Sequence, residues 1–150
     1  MKRIIVGDPY KYVEVEIRKV PLYRKEVEEE KEGIIYSIFS PKQAWGNVRV
    51  MQDSKDKTFS AAVAIAENPA IILMQKTIDA VDVALFKYPE LKPLCELYFW
   101  QDLGWKEVCE KLGIAQATLF KRKDKLIRVV AKIFCIHLDP RSYYIKKSLR

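Results

Sequence analysis

The sequence has few of the residues that interrupt helices or build metal sites. Among 150 residues there are five glycines, three cysteines and one histidine. So few glycines favour helices over a turn-rich β fold. Cys95, Cys109 and Cys135 are odd in number, far apart and match no metal-ligand spacing, and the single His137 adds little. We therefore predict reduced thiols and neither a metal nor a cofactor.

Long apolar runs and catalytic motifs are also missing. No run approaches the roughly 18 apolar residues that suggest a membrane span. The basic and then apolar start ends at Gly7-Asp8-Pro9, too early for a secretory signal. We expect a cytoplasmic protein with no membrane partner. The chain has no Gly-rich phosphate loop and no nucleophile motif, so we expect no enzyme and no catalytic residues.

The charge of the chain is concentrated near its end. Residues 1–104 contain 15 Lys and Arg against 16 Asp and Glu, whereas residues 105–150 contain 12 against 4. The net charge of +7 therefore comes from the last third of the chain. A localised basic surface favours a polyanionic partner, with nucleic acid ahead of an anionic membrane.

We interpret residues 1–57 as an N-terminal arm followed by a linker. Residues 10–20 fit a strand by alternation and a helix by spacing, and we predict a helical piece here. A second helical piece follows Pro21 and is expected to end at Gly33, a natural C-cap. We expect 34–39 to be extended and 40–57 to be a loop.

Residues 58–138 are predicted to form a helical domain. Thr58 or Ser60 can cap a short helix over 61–67, and Asn68-Pro69 can start a longer one that runs to about Lys87. Apolar residues along the longer helix step by three and four. They are Ile71, Met74, Ile78, Val81, Leu85 and Tyr88. Such a stripe packs on its own domain or forms the seam of a homodimer.

The spacing in residues 105–133 is typical of a helix-turn-helix. The first helix needs a small inner residue, here Cys109, and the turn needs a residue that tolerates positive φ, here Gly113. Apolar contacts then lock the helix pair. We assign them to Val108, Leu112, Ile114 and Leu119.

The second helix is expected to face DNA with its polar side. On a helical wheel Leu119, Leu126, Val130 and Ile133 point inward. We predict that six residues bind DNA. Gln116, Lys121 and Lys125 approach bases, whereas Thr118, Arg122 and Arg128 hold phosphates. Asp124 either pairs with Arg128 across one turn or accepts a hydrogen bond from cytosine.

The stretch from 94 to 130 resembles the RinA/ArpU-type regulators of phage late transcription. Four segments carry the resemblance: LYFW at 97–100, WKEVC at 105–109, LGI at 112–114 and TLFKR at 118–122. Those regulators are similar in turn to the DNA-binding fourth region of sigma factors. The resemblance covers about residues 58–134. Two departures are Ala115, where the family has a Ser or Thr cap, and Cys109, where Ala is commoner.

We therefore expect an all-α, multi-helix protein with a C-terminal, sigma-region-four-like helix-turn-helix. The resemblance implies a sequence-specific double-stranded DNA-binding transcription regulator that activates phage or prophage late genes. The alternatives are a DNA-recognition subunit of phage packaging, similar to a small terminase, and a sigma-like protein that interacts with RNA polymerase. RNA polymerase and a second copy of the chain are further candidate partners. The tail, 139–150, is either a disordered basic end or an arm that contacts DNA.

Overall fold

A computed structural model of the chain describes residues 8–40 and 54–138, and every regular element in these two ranges is helical. The helices are α1 (Pro9–Arg18), α2 (Val20–Phe39), α3 (Ser54–Glu67), α4 (Pro69–Lys87), α5 (Lys92–Leu94), α6 (Trp105–Leu112) and α7 (Gln116–Ile133). A 3₁₀ turn, Pro89–Leu91, precedes α5, and a π-helical segment, Cys95–Trp100, follows it. The expectation of an all-α protein is confirmed for these residues. The expected tail, 139–150, lies outside them.

The chain divides into two compact units. Among the described residues, unit 1 comprises 8–20 and 79–138, and unit 2 comprises 21–40 and 54–78. We interpreted the segment 1–57 as an arm and linker; its α1 lies in unit 1, and its α2 lies in unit 2 from Pro21 onward. Helix α4 supplies its first half to unit 2 and its second half to unit 1.

Helix α1 resolves the ambiguity between strand and helix. Tyr10, Val13 and Ile17 are buried at helical spacing, whereas Val15, which a strand would place on the same face as Val13 and Ile17, is 37 % exposed. Asp8 caps the first turn, where its Oδ1 accepts a hydrogen bond from the Tyr10 N–H at 3.1 Å. Helical spacing prevails because it puts the three apolar side chains on the face that the unit 1 core covers.

The core of unit 1 is built mainly from α1, α7 and the residues between α4 and α6. Helix α1 packs on α7 and on the π-helical segment, and α6 packs on α7. The fully buried large side chains of this unit are Val13, Ile17, Val20, Val81, Leu91, Leu94, Val108, Leu119, Leu126, Ile127 and Val130. Because six of its side chains are buried, α7 is anchored along most of its length.

Unit 2 corrects two expectations about α2. The helix continues through Gly33 to Phe39, so Gly33 is not a C-cap and 34–39 is not extended. The reason is the spacing of Val27, Ile34 and Ile38, seven and four residues apart, which keeps them on one helical face. Val27 is buried, and Ile34 and Ile38 line an open groove of about 920 Å³ together with Gly33 and residues of α3 and α4.

The start of α3 is also earlier than expected. The helix begins at Ser54, so residues 54–57 are not loop and neither Thr58 nor Ser60 is its cap. Asp56 lies in the first turn, where a carboxylate interacts favourably with the positive end of the helix dipole. The remainder of the expected loop, from 41 to 53, lies outside the described residues.

Helix α4 begins and ends as expected. The Asn68 Oδ1 accepts from the Ile71 N–H at 3.1 Å, and Pro69 is the first helical residue. Ile71, Ile78, Val81 and Leu85 of the predicted stripe are buried within the chain, and Met74 and Tyr88 are half-buried. The stripe is therefore core and is not exposed as a seam.

Replacing Gly33 with Ala should stabilise the protein. Gly33 lies inside α2, and a Cβ atom built there meets nothing within 4 Å. Ala in an exposed helix interior is favoured over Gly by about 0.5–1 kcal/mol. Thermal unfolding followed by circular dichroism should show a higher midpoint for Gly33→Ala. An unchanged or lower midpoint would show that the backbone at 33 needs glycine.

Candidate nucleic-acid interface

Helices α6 and α7 are joined by the turn 113–115, whose geometry depends on Gly113. This residue has φ 63° and ψ 36°, the left-handed conformation, and its N–H donates to the Cys109 carbonyl. The Ile114 N–H donates to the same carbonyl at 3.1 Å. The predicted positive φ at Gly113 is confirmed, and the two bonds satisfy a helix-end carbonyl that would otherwise lack a partner.

The apolar residues predicted to hold the α6–α7 pair together are buried or half-buried. Val108 and Leu119 are fully buried, and Cys109, Leu112 and Ile114 are half-buried. Of the predicted inward face of α7, Leu119, Leu126 and Val130 have no exposed surface, but Ile133 is 38 % exposed. The prediction for Ile133 is wrong, because the buried side of α7 extends instead to Lys123, Ile127 and Ala131.

Lys123 has an unexpected place in this buried side. Its residue is 7 % exposed, and its Nζ lies 3.0 Å from Glu14 Oε1 of α1. The Nζ also donates to the Tyr98 hydroxyl at 3.4 Å. Burial opposes the charged form, but the hydrogen bond and charge of Glu14 outweigh it and raise the pKa of Lys123. Lys123 is thus a cation at neutral pH that anchors α7 to α1.

A second cation, Arg18, extends this anchor to the π-helical segment. Its guanidinium lies 3.4 Å from Glu14 Oε1 and 3.0 Å from Asp102 Oδ1. It also donates to the Tyr98 carbonyl at 3.3 Å and lies over the Tyr98 ring. Because this cluster joins three elements of unit 1, it positions α7 from its buried side and leaves the opposite side to solvent.

Five of the six residues predicted to bind DNA lie on or beside the outer side of α7, whereas Gln116, seven residues before buried Lys123, lies on the buried side and is exposed as the first residue of the helix. Gln116, Lys121 and Lys125 are exposed, and Thr118, Arg122 and Arg128 are half-buried. Lys121 forms no ion pair with any described residue. The structure brings Lys121, Lys125 and Arg128 onto one face, since they are spaced by four and three residues.

Two of these cations already have partners within the chain. The Lys125 Nζ lies 3.2 Å from Glu90 Oε1 and 4.1 Å from the centre of the Tyr88 ring. A backbone hydrogen bond, and then the Lys125 contact, lower the pKa of Glu90. Arg128 Nε lies 2.8 Å from Asp124 Oδ2 one turn earlier. Of the two roles considered for Asp124, the pairing with Arg128 is the one observed.

One further basic residue of this face was not predicted. Lys132 is exposed and follows Lys121, Lys125 and Arg128 at the same alternating spacing. The four residues span about 16 Å along the helix axis. The repeat of four, three and four residues was present in the sequence and is the signal that could have found Lys132. We call Lys121, Lys125, Arg128 and Lys132 the basic stripe.

Metal clusters and membrane-spanning helices are two features that residues 8–40 and 54–138 lack. Within these ranges no group of three His, Cys, Asp or Glu side chains could hold a metal ion. No helix there is long and apolar enough to cross a membrane. Neither the models of known protein families nor the curated proteins and solved structures contain a match to this chain.

Substitutions of Gly113 test the turn. A left-handed conformation costs a residue with a Cβ atom about 1–2 kcal/mol, and Asn tolerates it better than Ala or Val. Gly113→Val and Gly113→Ala should therefore lower the free energy of unfolding, and Gly113→Asn should lower it less. Urea denaturation of the three variants measures their free energies of unfolding. Equal stabilities for Asn and Val at this position would contradict the assigned turn.

The N-cap of α7 offers a gain of stability. Ala115 has extended geometry, φ −75° and ψ 155°, and no side-chain hydrogen bond caps the helix. Ser at this position can accept from a free N–H of the first turn, which is worth about 1 kcal/mol. Ala115→Ser should raise the urea midpoint, whereas Ala115→Val should not. An unchanged urea midpoint for Ala115→Ser would indicate that α7 begins at a different residue.

Proposed function

We propose that the chain is a sequence-specific, double-stranded DNA-binding regulator of transcription. In this proposal α6 and α7 form a helix-turn-helix, and α7 is the recognition helix. The observation that carries it is the basic stripe on the outer face of a helix whose opposite face is buried and anchored. The resemblance to the RinA/ArpU-type regulators extends the proposal to activation of phage or prophage late genes, with RNA polymerase as a further partner.

The dimensions of α7 suit the major groove. Its 18 residues correspond to about 27 Å, and the groove of about 12 Å width admits one α-helix. The first turn of a recognition helix usually contacts base edges. Gln116 is exposed in that turn, and a Gln amide can bond both acceptor and donor of adenine.

The cations of α7 differ in the ion pairs within the chain that DNA binding would disturb. Lys121 forms no ion pair in the described part of the chain, so it can bind guanine or phosphate without breaking one. Lys125 must exchange Glu90 for DNA, and the guanidinium of Arg128 must bind DNA while it stays paired with Asp124. We assign Lys132 and half-buried Arg122 to phosphates, together with Arg128 and Thr118. Binding should therefore depend strongly on salt, because each neutralised phosphate releases counterions.

A binding titration of the full chain tests the proposal. Duplexes selected from a random-sequence library should bind more tightly than the unselected pool, with the affinity falling steeply as salt rises. Selection that yields no preferred sequence would contradict sequence-specific recognition. Absence of duplex binding even at low salt would contradict the DNA-binding function altogether.

Single substitutions in the basic stripe test the role of α7. Lys121→Ala removes a direct contact and should weaken binding by 1–3 kcal/mol if it reads a base, roughly 5- to 150-fold. Lys132→Ala should make the plot of log affinity against log salt concentration less steep, by about one unit of slope. Lys25→Ala, an equal charge change on α2, is the matched control. Equal effects of all three variants, with unchanged helicity, would exclude the assigned face.

A further inference from the structure

The outer side of α4 exposes apolar side chains that the core does not use. Ile72 is 50 % exposed, Val83 55 % and Phe86 88 %. They lie on the side of the helix away from the buried Ile71, Ile78, Val81 and Leu85. Several exposed apolar side chains on one helix face are typical of an interaction site, whereas single ones are common everywhere.

The exposed face is regular and has charge at its centre. Ile72, Lys76, Asp79, Val83 and Phe86 step by four, three, four and three residues, and all five are exposed. This spacing places them in a narrow stripe about 21 Å long. We call these five residues the α4 stripe. Apolar residues thus flank one cation and one anion, three positions apart.

We propose that the α4 stripe binds the α4 stripe of a second copy of the chain, with the two helices antiparallel. In an antiparallel helix pair the two alternating seam positions face each other across the two-fold axis. Ile72 then faces Val83 of the second copy, and Lys76 faces Asp79 of the second copy. The symmetry repeats both contacts, so that two ion pairs at the centre have apolar contacts on either side.

The charges of the α4 stripe favour an antiparallel helix pair over a parallel one. A parallel pair would place Lys76 against Lys76 and Asp79 against Asp79, and like charges in direct contact are costly. The stripe is therefore complementary to itself in one direction only. Asp79 also has an interaction within its own chain. A carboxylate has two oxygens with about four lone-pair sites, so it can accept Lys76 of the second copy in addition.

The size of the contact indicates a reversible dimer. A single helix pair provides a small interface compared with the roughly 1,600 Å² of a standard stable one. We therefore expect dimers whose population rises with protein concentration. The inference does not depend on the proposed function, but a two-fold dimer would present two copies of α7 to a palindromic operator.

Charge reversal with rescue tests the pairing. Sedimentation of the full chain should show a monomer–dimer equilibrium. Lys76→Glu and Asp79→Lys should each weaken the dimer by roughly tenfold or more, since each brings like charges together. A mixture of these two variants should form heterodimers, and the double variant Lys76→Glu/Asp79→Lys should recover the homodimer.

Two more variants locate the contact. Phe86→Ser should weaken the dimer without changing helicity, because the side chain is already exposed in the single chain. Lys92→Glu, an equal charge reversal at an exposed residue of α5, should leave it unchanged. A wild-type chain that stays monomeric up to about 1 mM would overturn the proposal. So would a dimer that is unaffected by Lys76→Glu and Phe86→Ser, or single variants that do not recover on mixing.

Discussion

The buried ammonium group of Lys123 is the constraint on which the arrangement of unit 1 depends. A charge removed from water is costly unless a partner of opposite charge replaces the lost hydration. Glu14 of α1, at 3.0 Å, and the Tyr98 hydroxyl, at 3.4 Å, supply that replacement. Since Lys123 lies midway along α7, this requirement holds α1 against the inner side of α7 and directs the basic stripe outward.

The same helix shows how differently buried and exposed cations behave. Lys123 keeps its charge because Glu14 is held close to it in the core. Lys125, two residues later, has a carboxylate at a similar distance, but both side chains are about half exposed. Exposed pairs are worth little and are screened by salt, so Lys125 can exchange Glu90 for another anion. Position on the helix, more than residue type, separates the anchor from the candidate DNA contacts.

The sequence predicted those features that depend on residues close together in the chain. The helical spacing of α4, its Asn68 cap and the positive φ of Gly113 were all readable from neighbouring residues. The boundaries of α2 and α3 were missed, because Gly33 and Lys55-Asp56-Lys57 suit a helix or a loop equally. The pairing of Glu14 with Lys123 was beyond the sequence, since it joins residues more than 100 positions apart. The outer face of α7 followed from periodicity, but the partners of Lys125 and Arg128 did not.

The order of residues in unit 1 also matters for how the chain is made. Its α1 lies before unit 2 in the sequence and its α7 lies after it. At synthesis rates of roughly 5–20 residues per second, α1 is made about 5 to 20 s before α7. During that interval the apolar residues Val13 and Ile17 have no α7 to cover them. The core of unit 1 can therefore close only late in translation, after α7 has been made.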